Sequence, residues 1–531
     1  MNSNWTYVQE HIDEYPEYRS AIFEQGFLLT DREDLSLSGF PFYDFWREVD
    51  LKGKARLYVH ETQKAFVFGD ENAVCFLLGH AFDPFSGEWD ENRILQKIAE
   101  QSRGDHQKAI PLINDLTGLF LFGMFSGDRL FLCCDFESMR AAYYGIADKH
   151  WYVASHEEIV ARLQPLTHDP YVEQLEKYKW YRLYGEGLPG DISHYLELKK
   201  IICDNYALLE NGSFSSHRLY PSQPLVMCSD EEDYRNTVRE IAEVMKTSMD
   251  LAAKKWDRVA VSVTGGRDSK GSLAAASHLG ERFQYYSYNS QLAEKVDCEA
   301  AERICQSVGV PHTTYDIPLD KSVYPEYDLV RAILCVNSNR KYFNHNDIMK
   351  RIYFRKLRPF DIEVKSWTSE IGRTFYYKRY GVRRMQKKAT ARRVNAMNNI
   401  YLFNPVLMYK TDKVYRRFLK DSQYNEHMFN YDWSDLICLE MRDSRWGADV
   451  ISVEHMFSHD VTVPYNNRRL GDLLLKPSFE KRLVDQTHID FTDLLCPAVN
   501  RANVHVVDFA HDKKRMWLDK IYYFVTCIRP I

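Results

Sequence analysis

Three observations predict an α/β fold in two parts. Short apolar and alternating runs crowd the first third of the chain. Beyond residue 226, strand-like and helix-like segments alternate, the pattern of a parallel sheet with helical crossovers. A glycine-bearing loop, Thr264-Gly265-Gly266-Arg267-Asp268-Ser269, stands between the first strand and the first helix of that second part. At 531 residues the chain is also longer than one hydrophobic core usually supports.

In the first part, Arg56–His60 and Ala65–Gly69 read as strands joined by Glu61–Lys64, a hairpin signal. Gly118–Phe125 and Arg129–Cys134, turned by Ser126-Gly127-Asp128, form a stronger one. Their unbroken apolar character suits strands buried on both faces. Trp151–Ala154 runs into a helix for which Ser155 is the expected cap and Glu158 the return contact of a capping box. Two prolines in Leu219–Pro224 interrupt the pattern. Asp230–Asp233 then opens a long helix with Ile241, Val244 and Met245 on its apolar side, so the boundary is placed between residues 225 and 226. In the second part the expected strands are Arg258–Val263, Phe283–Tyr288, Thr313–Ile317 and Ile362–Ser366. Helices are expected over Ser269–Leu279, ended by Gly280, and over Ala300–Val308, closed by Gly309.

An apolar share of 45%, a charged share of 27%, 35 Tyr and 29 Phe describe a globular chain with full-sized cores. The formal charge of −6 argues against a general nucleic-acid binder. The 11 Cys are scattered without a C-x-x-C, so neither a disulfide framework nor a zinc knuckle is expected. No basic-then-apolar leader opens the chain, and the longest apolar stretch, Gly118–Phe125, is too short to cross a bilayer. A cytoplasmic protein with neither nucleic-acid nor membrane partner is the expectation.

The loop carries the chemistry. Two adjacent glycines let backbone N–H groups come against a phosphate without side-chain clash. The following helix aims the positive end of its dipole at the same point. Ser269 adds a hydroxyl, and Asp268 can hold a divalent cation that bridges phosphate oxygens. The loop is neither a Walker A motif nor G-x-G-x-x-G. A plain tight turn is the competing reading, disfavoured by the preceding apolar strand and by the serine after Asp268. Phe343-Asn-His-Asn-Asp347 lacks the helical histidine spacing of a metal site and is read as structural.

The loop resembles the S-G-G-x-D-S signature of the PP-loop (ATP pyrophosphatase) superfamily, with Thr264 at the first place. Within it the chain is similar to the asparagine synthetase-like family, which includes the β-lactam synthetases and lasso-peptide cyclases. Leu77–Asp83, Leu116–Phe120, Leu130–Asp135 and Trp151–Ser155 follow the order of motifs in the class II glutaminase part of those enzymes. Val463-Pro464-Tyr465-Asn466 resembles the V-P-F-L segment at the far wall of their synthetase site. The resemblance covers most of the chain. It implies a degenerate Ntn-hydrolase-like αββα sandwich over 1–225 and, over 226–531, a PP-loop (HUP-like) doubly wound parallel sheet with a helical C-terminal part.

ATP and Mg2+ are the cofactors the resemblance implies. Nucleotide contacts are implied at Val261, Ser262, Val263, Thr264, Gly265, Gly266, Arg267, Asp268, Ser269, Tyr288 and Ser366. The family's second metal loop matches Ser366-Trp367-Thr368-Ser369-Glu370, so Asp268 and Glu370 are the implied metal ligands. Glu370 and Trp367 are the implied catalytic positions. Trp367 stands where family members carry Glu or Tyr, and an indole cannot act as a base at neutral pH. The family's late lysine has no clear match, although Lys513 and Lys514 lie in the right region.

Class II glutaminases use an N-terminal cysteine. Position 2 here is Asn2 and the first cysteine is Cys75, which implies a retained fold without glutamine hydrolysis. The expected activity is therefore ATP-dependent amide formation. A carboxylate of a small-molecule, sugar or peptide substrate is adenylated and passed to an amine or ammonia, in a protein that could be a homodimer. The alternatives are a lapsed ATP-binding scaffold, suggested by Asn2, Trp367 and the missing lysine, and a tRNA-modifying PP-loop enzyme. Arg373, Lys378, Arg379, Arg383, Arg384, Lys387, Lys388, Arg392 and Arg393 form a basic stretch, read as a solvated helix face in preference to an anionic docking surface.

Overall fold

The computed structural model describes residues 3–184, 187–339, 343–367, 369–381, 388–398, 401–504 and 513–528. Asn2, Arg383, Arg384 and Lys387 lie outside the described residues. In chain order the strands of the first part are β1 (Phe27–Thr30), β2 (Trp46–Asp50), β3 (Arg56–His60), β4 (Ala65–Gly69), β5 (Ala73–Phe82) and β6 (Thr117–Ser126). They continue with β7 (Arg129–Cys134), β8 (Tyr143–Ala147), β9 (His150–Ala154), β10 (Leu198–Lys200), β11 (Asn205–Glu210) and β12 (Ser213–Arg218). Two six-stranded antiparallel sheets result, in the orders β10-β8-β9-β1-β3-β2 and β12-β11-β7-β6-β5-β4.

The sheets face each other across a core in which Phe27, Leu29, Leu57 and Val59 meet Phe76, Leu78, Leu121 and Leu132. The outer face of the second sheet is covered by the helices Glu91–Ser102 and His106–Asn114 through Cys75, Leu77, Ile94 and Ile110. The first sheet is covered by Ser3–His11, Glu157–Leu163 and a helix from the second part, Tyr327–Ser338. Burial on both faces explains why β5 and β6 read as continuous apolar runs.

Local reading misassigned two connections. β3 and β4 form, but β3 pairs with β1 and β2 while β4 pairs with β5. The turn after His60 therefore carries the chain between sheets, a distinction that alternation within each strand cannot express. The capping box is absent as well: His156 is the cap residue of Glu157–Leu163, without a side-chain bond. Ser155 bonds to β1 instead, and Glu158 accepts from Tyr195 and pairs with Arg162. The β6–β7 hairpin is present. Gly79 and Gly118 explain themselves on the neighbouring pair. Both have positive φ, and a Cβ on either would lie 2.1 and 2.2 Å from carbonyl oxygens of the opposite strand.

The second part opens with Glu231–Lys255, capped by Asp230, which accepts from the N–H groups of Glu232 and Asp233. Then follow β13 (Val259–Ser262), β14 (Phe283–Asn289), β15 (His312–Asp316), β16 (Ile362–Val364) and β17 (Asp460–Thr462). All pair in parallel, in the order β15-β14-β13-β16-β17. β17, which sequence patterning did not suggest, is only three residues long. One face packs on Glu231–Lys255, Arg267–Ala276 and Gln486–Leu495, the other on Tyr327–Ser338, His345–Leu357 and Ala448–Phe457. Strand order reverses between β13 and β16, so a crevice opens beyond their carboxyl ends, the place where such sheets bind ligands.

Candidate functional site

The Thr264–Ser269 loop lies in that crevice, between β13 and the helix Arg267–Ala276. Its backbone is folded by its own polar groups. The N–H of Thr264 donates to Ser269 Oγ at 2.7 Å, that of Gly265 to Asp297 Oδ1 at 3.4 Å, and that of Gly266 to Thr264 Oγ1 at 3.2 Å. Gly266 is the helix cap, with an ordinary φ of −68°. A Cβ there would meet only Thr264 Oγ1, at 3.3 Å. The fold therefore does not require glycine at 266, whereas a phosphate approaching the helix N-terminus would. Val261 and Val263 are buried in the sheet core, where strand pairing places their side chains, so only their backbone can serve a nucleotide.

β16 delivers the second loop beside the first. Ser369 donates to Asp268 Oδ1, and Arg373 Nη1 donates to the same oxygen at 2.8 Å. Arg373 also bonds Asp485 at 2.9 Å, and Lys378 donates to Asp485. These carboxylates outweigh burial and hold the Arg373 guanidinium firmly protonated. Glu370 Oε1 faces Arg442 Nη1 at 3.5 Å. Each predicted metal carboxylate is thus oriented by an arginine through one oxygen, and the other oxygen makes no hydrogen bond among the described residues. Carboxylate oxygens are the donor type a magnesium ion takes, and Ser369, bonded to Asp268, brings Glu370 onto the adjoining loop. Ser366 Oγ, buried and without a hydrogen-bond partner among the described residues, adds an uncommitted polar atom next to them.

Trp367 packs against Trp446 at a tilt, with ring centroids 5.5 Å apart, and lies over Gly447, where a Cβ would fall 2.5 Å from its indole nitrogen. Both partners belong to or end the ten-residue π-helical segment Cys438–Gly447, which also carries Arg442. Wider helical turns of this kind are frequent at functional sites. Glu137 reaches the same region from the antiparallel part. It is fully buried, neither carboxylate oxygen has a hydrogen-bond partner among the described residues, and burial, then Asp443 and Glu370, push its pKa well up.

Tyr288 occupies the opposite face of the sheet, where its hydroxyl accepts from Lys350 at 3.1 Å. Around it, Lys365 bonds Glu363 at 3.0 Å and also Glu454, while His459 Nε2 lies 2.7 Å from Glu363. Burial would raise the Glu363 carboxyl, but Lys365 and His459 hold it at about 2. Glu363, Glu454 and His459 are the one close group of three metal-ligand side chains among the described residues. Lys365 already supplies the cation there, so the group reads as a salt-bridge network.

Tyr465, in the Val463–Asn466 motif, donates its hydroxyl to the Asp268 carbonyl at 3.1 Å. Asn466 donates to Gly118 O at 2.7 Å and Asp135 Oδ1 at 2.9 Å. Arg468 spans to the carbonyls of Cys134 and Cys203. This segment locks the loop onto the antiparallel part. Lys270, next to the loop, donates to Val504 O at 2.6 Å, and burial followed by Arg267 brings its pKa down to about 8. Lys514 lies instead on the helix Lys513–Ile528, which packs on Phe375–Tyr380 and Ala391–Asn398.

The basic stretch is not one solvated face: Arg373 and Lys378 enter the site, Arg379 pairs with Asp519, and Arg392 with Asp412. His345 bonds Tyr327 and the Leu319 carbonyl, a structural role. Sequence reasoning missed Asp485, Arg442 and Glu137, for which no local signal exists. A cavity of about 740 Å³ lies elsewhere, beside Arg392 and Arg416.

No protein-family model matches the chain, and no curated protein matches it. Among solved structures it is similar to glutamine phosphoribosylpyrophosphate amidotransferase from B. subtilis complexed with ADP and GMP. That match has 11% identity over 63% of this chain and 91% of that one, with a TM-score of 0.24. Glutamine-dependent NAD+ synthetase from Acinetobacter baumannii with ADP matches at 12% identity over 40% and 44% of the chains, TM-score 0.21. The allosteric regulatory enzyme of purine biosynthesis matches at 9% over 62% and 90%, TM-score 0.24. Superpositions this loose leave the chemistry to be argued from the chain's own geometry.

Proposed function

We propose that the protein is an ATP-using, amide-forming enzyme that adenylates a substrate carboxylate. The observation that carries this reading is Gly266: a glycine the fold does not need, at a helix N-terminus in the crevice where strand order reverses. Backbone N–H groups there would receive the β- and γ-phosphates, and Ser269 would exchange its bond to Thr264 for one to phosphate. Asp268 and Glu370 would hold magnesium through their uncommitted oxygens; such an ion supplies charge neutralisation to departing pyrophosphate. Arg373 would hold Asp268 in place through one oxygen, and Arg442 would do so for Glu370. The substrate carboxylate would then attack the α-phosphorus, with catalysis coming chiefly from orientation and charge.

The acyl acceptor would be an amine substrate or free ammonia. Cys75, Cys133, Cys134 and Cys203 of the antiparallel part are all buried, and burial raises each thiol, Cys75 to about 12. That environment opposes a nucleophilic thiolate. A binding-only reading has one observation in its favour: Trp367 fills the expected catalytic place and packs on aromatic neighbours.

Incubating the protein with ATP, magnesium and pooled carboxylic acids and amines, followed by nucleotide chromatography, tests the proposal. AMP and pyrophosphate are expected. ADP as the main product sinks the adenylation reading, and nucleotide binding without turnover across a broad pool favours the binding-only one.

A further inference from the structure

The C-terminal helix Lys513–Ile528 has two faces of different character. Its inner face is fixed: Asp519 pairs with Arg379 and accepts from Tyr401, Tyr523 stacks on Tyr380 at 4.9 Å, and Tyr522 donates to the Leu402 carbonyl at 3.5 Å. Its outer face is apolar at helical spacing, with Trp517, Leu518, Ile521, Phe524 and Val525 exposed. Trp517 is 63% and Phe524 65% accessible, an unusual loss of burial for two large aromatic side chains. The patch does not stop at the helix. Phe403, 63% accessible, rests on Tyr522 at 5.5 Å, and Val406 and Tyr409 continue it along Pro405–Asp421.

Exposed charge on these two helices is mostly basic, with Asp421 partly exposed at the end of Pro405–Asp421, Glu426 on the rim of the neighbouring cavity, and Arg417 paired with Asp191. The exposed charged residues of the C-terminal helix, Lys514 and Lys520, are basic, while its one acid, Asp519, is buried in an ion pair. On Pro405–Asp421 the exposed charged side chains are Lys413, Arg416, Arg417 and Lys420, and Asp412 is buried against Arg392. Tyr409, Arg416 and Lys420 line a cavity of about 740 Å³ together with Cys527 of the C-terminal helix, so the basic and apolar surfaces adjoin. In a chain of net charge −6 this concentration is local.

We propose that this face docks on an anionic phospholipid surface, with the helix lying in the interface plane. An apolar stripe of aromatic and aliphatic side chains flanked by exposed lysines is the composition that binds there. No described helix is long and apolar enough to cross a membrane, so the contact is peripheral. The absence of a spanning segment, from which no membrane partner was expected, does not address a surface of this kind. A second copy of the chain is disfavoured by symmetry, because an isologous dimer would set Lys514 and Lys520 against the same basic surface. A nucleic acid would use the lysines and Trp517 but leaves Leu518, Ile521 and Val525 in water.

Co-sedimentation of the full chain with vesicles tests this, using phosphatidylcholine alone and phosphatidylcholine mixed with phosphatidylglycerol. Binding is expected to the mixed vesicles only, and to fall as salt rises. Lys514→Glu with Lys520→Glu should weaken it by at least roughly thirtyfold, and Trp517→Ser with Phe524→Ser by more than about tenfold. All four side chains are exposed, and unchanged thermal unfolding shows that the variants fold. Equal binding to both vesicle types overturns the proposal, as does undiminished binding of either variant. Absence of vesicle binding overturns it too, whether the patch then proves to mediate dimerisation, lost in Phe524→Ser, or retention on RNA.

Discussion

Replacing Gly266 by alanine separates what the fold needs from what a ligand needs. At φ −68° alanine is unstrained, and its Cβ would have a single neighbour, Thr264 Oγ1 at 3.3 Å. Restricting the unfolded chain stabilises by ~0.4–1 kcal/mol. Alanine caps a helix less well than glycine, which costs about 1 kcal/mol. The two nearly cancel, so the midpoint of thermal unfolding should move by no more than ~4 °C. Nucleotide binding should behave differently. The methyl stands where a phosphate must approach the helix N-terminus, and losing one or two charge-assisted hydrogen bonds at ~1.5–3 kcal/mol each weakens affinity at least about tenfold. Scanning fluorimetry measures the first effect and titration with a fluorescent ATP analogue the second. An alanine variant that binds nucleotide like the parent would refute the role given to Gly266. A variant that no longer folds would show that the glycine serves the backbone after all.

Two further outcomes follow from the packing. His194 is half-buried between Glu157 and Glu176; burial would lower its pKa, but Glu157 and then Glu176 hold it up at about 10. A raised folded pKa gives stability that is complete below about 6.5 and lost as pH rises toward 10. The unfolding free-energy deficit of His194→Gln should therefore be largest near pH 6 and shrink toward pH 10; a deficit constant over that range removes the ion pair as its cause. Asn466→Ala strips donors from Gly118 O and Asp135 Oδ1 and should cost about 3 kcal/mol. Denaturant unfolding followed by intrinsic fluorescence measures this, and a loss under about 1 kcal/mol would show that Asn466 does not fasten the two parts.

The loop Thr264–Ser269, its flanking strand and helix, and the β6–β7 hairpin were legible in sequence because their causes are local: glycines beside an apolar strand, a two-sided apolar run, a turn of small polar residues. The start of the long helix at Asp230–Asp233 was legible for the same reason, since the Asp230 acceptor and the N–H groups it meets lie within three residues. The family resemblance also pointed to the loop Ser366–Glu370, in which Ser369 bonds Asp268 from 101 residues away. What the tertiary structure decided was partnership. β3 and β4 belong to different sheets because pairing depends on strands far along the chain. The basic stretch divides between the site and the C-terminal helix because Asp268, Asp485 and Asp519 arrive from elsewhere to pair with it. Trp517 and Phe524 look like core residues by composition, and only the packing of Tyr522 and Tyr523 beneath them leaves that stripe outside. Hydrophobic periodicity fixes which residues share a face; which face meets the protein and which meets solvent is set by everything else in contact.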